Sequence, residues 1–248
     1  MREFRPTGFQ ILPVVIKNLM IINAIFFLAQ NTIGVRYFNM EEVFALHTIQ
    51  SPLFKPWQLV THMFMHGDMG HIFSNMLALW MFGSVLENYW GPKRFLTFYF
   101  VCGIGAAFAH LGVLYYENQQ MIADFHRILT ADDVANFSHK YFRESSEVFN
   151  PQSVVDYNLK QATLGASGAV FGCLAAFGYL FPNTLIYFYF FIPVKAKWFV
   201  LIYAAFELSM AIHNSAGDNV AHVAHLGGAL AGIVMVYFWN KRNRNTFY

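Results

Sequence analysis

Six long apolar stretches dominate this chain, and they restrict it to folds that a lipid bilayer can accommodate. Of its 248 residues, 56% are hydrophobic and only 12% are charged, whereas a soluble domain usually carries about 25% charged residues. Crossing the hydrocarbon core takes roughly 17–25 mostly apolar residues. Stretches of this kind cover residues 11–30, 69–88, 94–116, 163–182, 196–213 and 219–239. They predict an all-α, polytopic membrane protein with six transmembrane helices.

Positively charged residues lie at alternate ends of these stretches, which predicts how the chain crosses the membrane. They are Arg2 and Arg5, Lys93 and Arg94, Lys195 and Lys197, and Lys241, Arg242 and Arg244. Lys and Arg near span ends favour the cytoplasmic side, so both termini are expected in the cytoplasm. Residues 1–248 then form one membrane domain with an extramembrane insert at about 117–162, whose spaced apolar residues are typical of short surface helices.

The remaining composition argues against several other classes of protein. The net charge is +2 and the chain has no long basic run, so no nucleic-acid partner is expected. Cys102 and Cys173 fall in apolar stretches, where they are expected to pack as small hydrophobic residues rather than form a disulfide. A separate apolar run at 184–192 is too short to cross a bilayer and is expected at its interface.

Polar side chains inside three predicted spans are expected to meet at one depth. His71 and Asn75 lie four residues apart near the start of the second span, Ser167 near the start of the fourth, and His225 near the start of the sixth. These spans all run from outside to inside, and with about 1.5 Å rise per residue their polar groups lie roughly 5–10 Å below the outer surface. Because such side chains are costly in lipid, we expect one shared pocket that water reaches.

Pairs of glycines suggest how the fourth and sixth spans come together. Glycines four residues apart occur at 168 and 172 and again at 228 and 232. Small residues at this spacing let helix backbones approach closely in lipid, which would bring Ser167 to His225. The same spacing also serves helix packing in membrane proteins that have no such site.

The four polar residues have the chemistry of a nucleophilic site. A serine hydroxyl attacks only when a neighbouring base takes its proton, and histidine suits that role near neutral pH. Attack on an amide also needs donors for the oxyanion, which His71, Asn75 and the Ser167 backbone N–H could supply. Taken singly, each of these side chains would more often pack or bridge helices. Their common depth favours the catalytic interpretation.

Three motifs in three spans resemble those of the rhomboid intramembrane serine proteases. The nucleophile motif Gly-x-Ser-Gly stands at 165–168, and a histidine followed four residues later by asparagine stands at 71–75. The last-span motif Ala-His-x-x-Gly-x-x-x-Gly fits 224–232. His222 competes for that position, but His225 rather than glycine stands three residues after it. The resemblance therefore favours His225.

The resemblance implies an intramembrane serine endopeptidase that cleaves single-span membrane proteins within or near the bilayer. Ser167 would attack the scissile carbonyl, and His225 would accept and return its proton. His71 and Asn75 would hold the oxyanion, and no metal or cofactor is implied. The expected location is the bacterial cytoplasmic membrane. Because the sixth span carries no Asp or Glu, the serine and histidine are expected to act as a dyad without an orienting carboxylate.

Further positions around the motifs extend the resemblance. His66 resembles a histidine that braces a loop, and Glu87 resembles an acidic residue that helps to hold the first loop region. Phe171 stands where the family has an aromatic ring stacked on the catalytic imidazole. The family's Trp-Arg pair in the first loop is here Trp57-Gln58, so the structural role of that arginine is expected to be lost or moved.

Two other functions remain open at this point. A catalytically inactive relative could act as a binding or quality-control factor, although such relatives usually lack the serine or the histidine. An intramembrane metalloenzyme could hold zinc with histidines drawn from His66, His71, His222 and His225. Against the metalloenzyme, the chain has no His-Glu-x-x-His motif, and its spans offer no obvious carboxylate base.

Overall fold

The chain forms a bundle of helices with two small antiparallel strand pairs. A computed structural model describes residues 8–142, 148–188, 191–213 and 221–244. Its helices are α1 (Val14–Arg36), α2 (Met40–Phe44), α3 (Gln58–Thr61), α4 (Met69–Ala78), α5 (Ser84–Trp90), α6 (Pro92–Phe125), α7 (Ala131–Tyr141), α8 (Pro151–Lys160), α9 (Ser167–Leu180), α10 (Ala196–His213) and α11 (His222–Arg244). Its strands are β1 (Leu46–His47), β2 (Ala162–Thr163), β3 (Leu185–Phe188) and β4 (Ile192–Lys195). Strand β1 pairs with β2, and β3 pairs with β4.

Helices occupy all six of the predicted spans, and the protein is a polytopic helical membrane protein. Among the described residues, five helical stretches have the length and apolar composition to cross a bilayer. They are Val14–Arg36, Met69–Trp90, Pro92–Phe125, Ala196–His213 and His222–Lys241. The second of these runs through α4 and α5, which a π-helical turn at Leu79–Gly83 joins. The short apolar run at 184–192 supplies β3 and the start of β4.

The fourth predicted span, 163–182, is helical only over the 14 residues of α9. At 1.5 Å per residue α9 is about 21 Å long, which is less than the roughly 30 Å of the hydrocarbon core. The residues ahead of it are held outside the helix, because β2 pairs with β1 and the Gly165 N–H donates to the His62 carbonyl at 2.9 Å. The predicted start was therefore four residues too early, and Ser167 is the first residue of α9.

Helix α9 lies at the centre of the bundle, where glycines let α11 pack directly against it. A Cβ added at Gly228 would overlap the Gly168 carbonyl, and one added at Gly172 would lie 3.0 Å from the Gly228 carbonyl oxygen. Backbone therefore meets backbone across this contact. The close approach predicted from the glycine spacing is confirmed.

Glu87 holds the start of the first helix rather than the first loop. Its carboxylate accepts hydrogen bonds from the backbone N–H groups of Val15 and Ile16, each at 2.9 Å. These groups are unpaired donors of the first turn of α1, where the helix dipole favours a negative charge. The role expected for Glu87 from the family resemblance was wrong, because the chain places it at the opposite end of α1 from the first loop.

Gln58, which stands where the family has an arginine, connects several backbone groups of the first loop. Its amide oxygen accepts from the backbone N–H groups of His47 and Lys55, at 3.3 and 3.1 Å. Its amide nitrogen donates to the carbonyls of Leu53 and Glu42, at 2.9 and 3.2 Å. The side chain is fully buried. A neutral side chain at this position therefore holds the loop together through its backbone groups.

The insert contains helices, as predicted, but its boundary with the membrane domain differs. Helix α6 continues without a break to Phe125, nine residues past the predicted end of the third span at residue 116. Helices α7 and α8 then pack on its end through a small core of Met121, Phe137, Val154 and Val155. The insert is thus built onto an extension of α6.

Candidate active site

The serine and histidine selected from the sequence lie in direct contact. Ser167 Oγ is 2.9 Å from His225 Nε2, a distance typical of a hydrogen bond. Ser167 begins α9, and His225 lies in the first turn of α11. The backbone turns sharply into α9 at Gly165, which has a φ of 130°, a conformation that favours glycine. The fold therefore places the hydroxyl at a helix N-terminus, where the dipole favours an anion.

Two neighbours fix the orientation of the His225 ring. The ring of Phe171 stacks on it with centroids 4.1 Å apart and planes inclined by 6°, as the resemblance implied. On the opposite edge, His225 Nδ1 lies 2.9 Å from Glu207 Oε2. An ionised carboxylate can only accept, so beside an ionised Glu207 the proton would sit on Nδ1 and Nε2 would accept from the Ser167 hydroxyl. This is the tautomer that a general base requires.

His71 and Asn75 face the same cavity as Ser167 and His225. Asn75 is 5% exposed, and within the described structure its Nδ2 has no hydrogen-bond partner. His71 Nδ1 lies 3.4 Å from the Gly67 N–H, so its Nε2 can keep a proton to donate. That Nε2 faces the turn before Ser167, since a Cβ added at Gly165 would lie 2.7 Å from it. Both side chains therefore offer unused donors beside the serine.

The cavity that these residues line has a volume of about 1760 Å³ and reaches the insert. Its wall includes polar residues from the end of α6, from α8 and from the residue after α8, namely Glu117, Asn118, Tyr157, Asn158 and Gln161. These polar residues give one part of a largely apolar wall the ability to hold water. It also explains how the non-helical residues ahead of α9 are tolerated, because irregular backbone at membrane depth must line such a cavity or be buried in protein.

Comparison with known proteins identifies the family. The rhomboid domain matches residues 53–242, which is well over half of the chain. The chain belongs to the rhomboid family. The matched region contains Ser167, His225, His71 and Asn75 together with the whole insert, and α1 precedes it.

Several curated rhomboid proteins share about a quarter of their aligned residues with this one. RHOMBOID-like protein 12, mitochondrial, of Arabidopsis thaliana is 27% identical over 94% of this chain and 60% of its own length. Rhomboid protein 1, mitochondrial, of Saccharomyces cerevisiae is 28% identical over 72% of this chain and 40% of its own length. Rhomboid protease GluP of Bacillus subtilis is 25% identical over 71% of this chain and 24% of its own length. The matched part of this rhomboid chain thus spans between a quarter and three fifths of these relatives.

The sequence reasoning missed Glu207 in this rhomboid site. The prediction of a dyad without an orienting carboxylate was based on the sixth span alone. Glu207 lies on α10, which is the fifth span. It is the sole acidic residue of the predicted span 196–213, and an ionisable residue inside a span is a functional candidate in its own right. That signal was present in the sequence. The expectation that no carboxylate orients His225 was wrong, because the tertiary packing supplies one from the neighbouring helix.

Glu207 also contacts the second histidine of α11. His222 Nδ1 lies 2.6 Å from the same Oε2 atom, and the ligand atoms of Glu207, His222 and His225 all lie within 4.8 Å of one another. Two imidazoles and a carboxylate are a set that zinc accepts. In the described structure both nitrogens stand at hydrogen-bond distances from one oxygen. His66 and His71, which the metal alternative also used, lie outside this cluster and contact each other edge to face.

Proposed function

We propose that this rhomboid-family protein is an intramembrane serine endopeptidase that cleaves single-span membrane proteins within or near the bilayer. The observation that carries the proposal is the 2.9 Å contact between Ser167 Oγ and His225 Nε2 inside a membrane helix bundle. A serine hydroxyl and a base in hydrogen-bond reach, with the base oriented by further groups, are the signature of an activated nucleophile. The cavity around Ser167 is the space through which the water for hydrolysis would arrive.

In the proposed reaction Ser167 Oγ bonds to the scissile carbonyl carbon while its proton passes to His225 Nε2. The π electrons of the carbonyl move to its oxygen, and the resulting tetrahedral species collapses with cleavage of the C–N bond. His225 gives its proton to the departing nitrogen. A water molecule then attacks the acyl-enzyme by the same route, which releases the acid product and regenerates the serine.

The oxyanion of the tetrahedral species would be stabilised by groups that already point into the cavity. Asn75 Nδ2 is a buried donor without a partner among the described residues, and His71 Nε2 faces the turn that leads into Ser167. The backbone N–H of Ser167 belongs to the unpaired first turn of α9. Donors fixed in advance at this position stabilise the charge as it develops.

The decisive experiment compares cleavage by purified wild-type protein and by Ser167→Ala, using a panel of single-span substrates in proteoliposomes. We expect Ser167→Ala to be inactive and wild type to react with a fluorophosphonate at Ser167. Ser84→Ala is the matched control, because it removes a buried helical hydroxyl from a residue that does not line the cavity around Ser167. Cleavage by Ser167→Ala at the wild-type rate would refute the proposal.

The cluster of Glu207, His222 and His225 supports a second candidate, a metalloenzyme. That function predicts loss of cleavage on chelation and activity that survives Ser167→Ala, whereas the serine protease predicts the reverse. The inactive alternative from the sequence predicts substrate capture without cleavage by both wild type and Ser167→Ala. The same panel therefore separates all three functions.

The protein is an integral membrane protein, and we propose that both of its termini face the cytoplasm. The support is the Lys and Arg pattern at alternate span ends. In the bacterial cytoplasmic membrane this orientation places Ser167 toward the outer surface. The relatives named above include mitochondrial and Bacillus proteins, so family membership is common to several membranes.

A further inference from the structure

A buried carboxylate joins two helices beside the candidate base. Glu207 of α10 is 3% exposed, and both histidines that it contacts on α11 are 8% exposed. A charge at such a site is costly unless it is paired and hydrogen-bonded. Here the Nδ1 atoms of two imidazole rings lie at hydrogen-bond distance from Oε2, at 2.6 Å for His222 and 2.9 Å for His225. The cost of burying this carboxylate therefore suggests that it has a function in addition to helix packing.

The geometry of α11 explains why two histidines share one oxygen. His222 and His225 are three residues apart, so they lie on the same helix face one turn from each other. His222 and His225 thus contact the same Oε2 atom, and His222 can anchor the carboxylate beside His225 Nδ1. Phe171 meanwhile fixes the plane of the His225 ring. Phe171 thus holds the plane of the imidazole ring, and Glu207 contacts its Nδ1 edge.

We propose that Glu207 is a positioning residue for His225, anchored by His222, so that the site works as a Ser167–His225–Glu207 triad. The inference rests on the proposed function. Glu207 keeps the proton on Nδ1, which leaves Nε2 free to take the serine proton. Its negative charge also stabilises the imidazolium that forms when that proton arrives. Both effects act on the chemical step and leave substrate binding unchanged.

The test is Glu207→Gln, which keeps the shape of the side chain and an acceptor oxygen but removes the charge. We expect kcat to fall about 100-fold or more with KM within about twofold, because the lost interaction is made in the transition state. The rate constant for fluorophosphonate labelling of Ser167 should fall in parallel. The matched control is Glu87→Gln, which neutralises another buried carboxylate, one that caps α1. Its kcat per folded molecule should stay at the wild-type value.

A spectroscopic signature separates orientation from general damage. With ¹⁵N-labelled histidine, the wild-type spectrum should show His225 protonated at Nδ1, and Glu207→Gln should lose part of that tautomer. His222→Ala removes the histidine that contacts Glu207 beside His225, and it should retain substantial activity, with kcat several-fold lower and KM unchanged. It also serves as the second variant if Glu207→Gln does not fold.

The outcomes distinguish this inference from the proposed function. If Ser167→Ala is inactive but Glu207→Gln has wild-type kcat and an unchanged His225 tautomer, the triad is refuted and the protease stands. The triad is also refuted if Glu207→Gln and Glu87→Gln lose activity equally with the tautomer unchanged, since that result shows a structural role. If Ser167→Ala cleaves substrate normally, the protease itself fails, whatever Glu207→Gln does.

Discussion

Two residues of this region have buried polar atoms without hydrogen-bond partners, but only one of them faces Ser167. His66 and Asn75 are both buried, and within the described structure neither His66 nitrogen nor Asn75 Nδ2 has a hydrogen-bond partner. Only Asn75 lines the cavity that contains Ser167. His66 instead meets the ring of His71 edge to face, with centroids 5.1 Å apart. An unused donor therefore indicates catalysis here only when it faces the reacting group.

The oxyanion donors are tested by His71→Ala and Asn75→Ala. Loss of one such donor typically costs about 10²–10³ in rate, which is less than the loss of the nucleophile. We expect both variants to be impaired, with Asn75→Ala the milder because His71 and the Ser167 N–H remain. The measurement is kcat/KM in detergent with a fluorogenic substrate. Wild-type kinetics in both variants would show that this face of α4 only packs.

At the scale of elements, the contact between α9 and α11 sets the distance between Ser167 and His225. The two helices approach through glycines, so the 2.9 Å contact depends on backbone positions rather than on long side chains. Such a contact adjusts poorly to added volume, because overpacking typically costs about 1–3 kcal/mol. A displacement of about 1 Å is enough to lower a rate roughly 100-fold.

This dependence predicts that Gly228→Ala lowers both stability and activity. The added Cβ would overlap the Gly168 carbonyl, so α11 must move and His225 must leave Ser167. We expect kcat to fall about 100-fold and the thermal transition to move to a lower temperature.

Gly112→Ala is the control, because its Cβ would meet no atom within 4 Å. That variant should be as active as wild type and slightly more stable, since alanine favours a helix by about 1 kcal/mol over glycine. Equal activity in both variants would show that the glycine contact does not position the dyad.

The insert is the second element whose role can be tested, by replacing residues 127–160 with a flexible linker. Thr163 Oγ1 lies 2.7 Å from His110 Nε2, so the chain re-enters the bundle beside residue 110 of α6. A linker that begins after the end of α6 must therefore cover about 22 Å along that helix. Ten extended residues reach about 33 Å, which is sufficient. We expect the shortened protein to label at Ser167 with a fluorophosphonate, because no residue of the proposed mechanism is removed.

Substrate choice should change in the same shortened protein, because Tyr157 and Asn158 line the cavity. The measurement is the ranking of several single-span substrates before and after shortening. A folded, membrane-inserted protein that no longer labels would show that the insert shapes the active site itself.

For the whole molecule, the orientation in the membrane decides whether the cavity that contains Ser167 lies toward the cytoplasmic or the outer surface. Both cysteines are fully buried in the bundle, so a single introduced cysteine can report its side without background. Asp132 in the insert and Lys241 near the end of α11 are both exposed. They lie on opposite sides of the membrane in the proposed topology.

We therefore expect Asp132→Cys to react with a membrane-impermeant maleimide in intact bacterial cells. Lys241→Cys should react only after lysis, because the positive residues around it retain that end in the cytoplasm. Labelling is measured by the gel shift of a polyethylene-glycol maleimide. The opposite pattern would invert the topology, and the charge rule would then fail for this chain.

The sequence by itself determined the membrane class, the approximate positions of the six helices and the identity of Ser167, His225, His71 and Asn75 as candidate site residues. These features are local, since apolar length and motif spacing are read within one helix at a time. Only the tertiary structure decided what crosses between helices. Glu207 reaches His225 from α10, Glu87 caps α1, and the insert lines the cavity. Each of these contacts joins residues far apart in the sequence, so the residue spacing within one helix could not predict it. The start of α9 was displaced for the same reason, since strand pairing with a distant segment holds the preceding residues out of the helix.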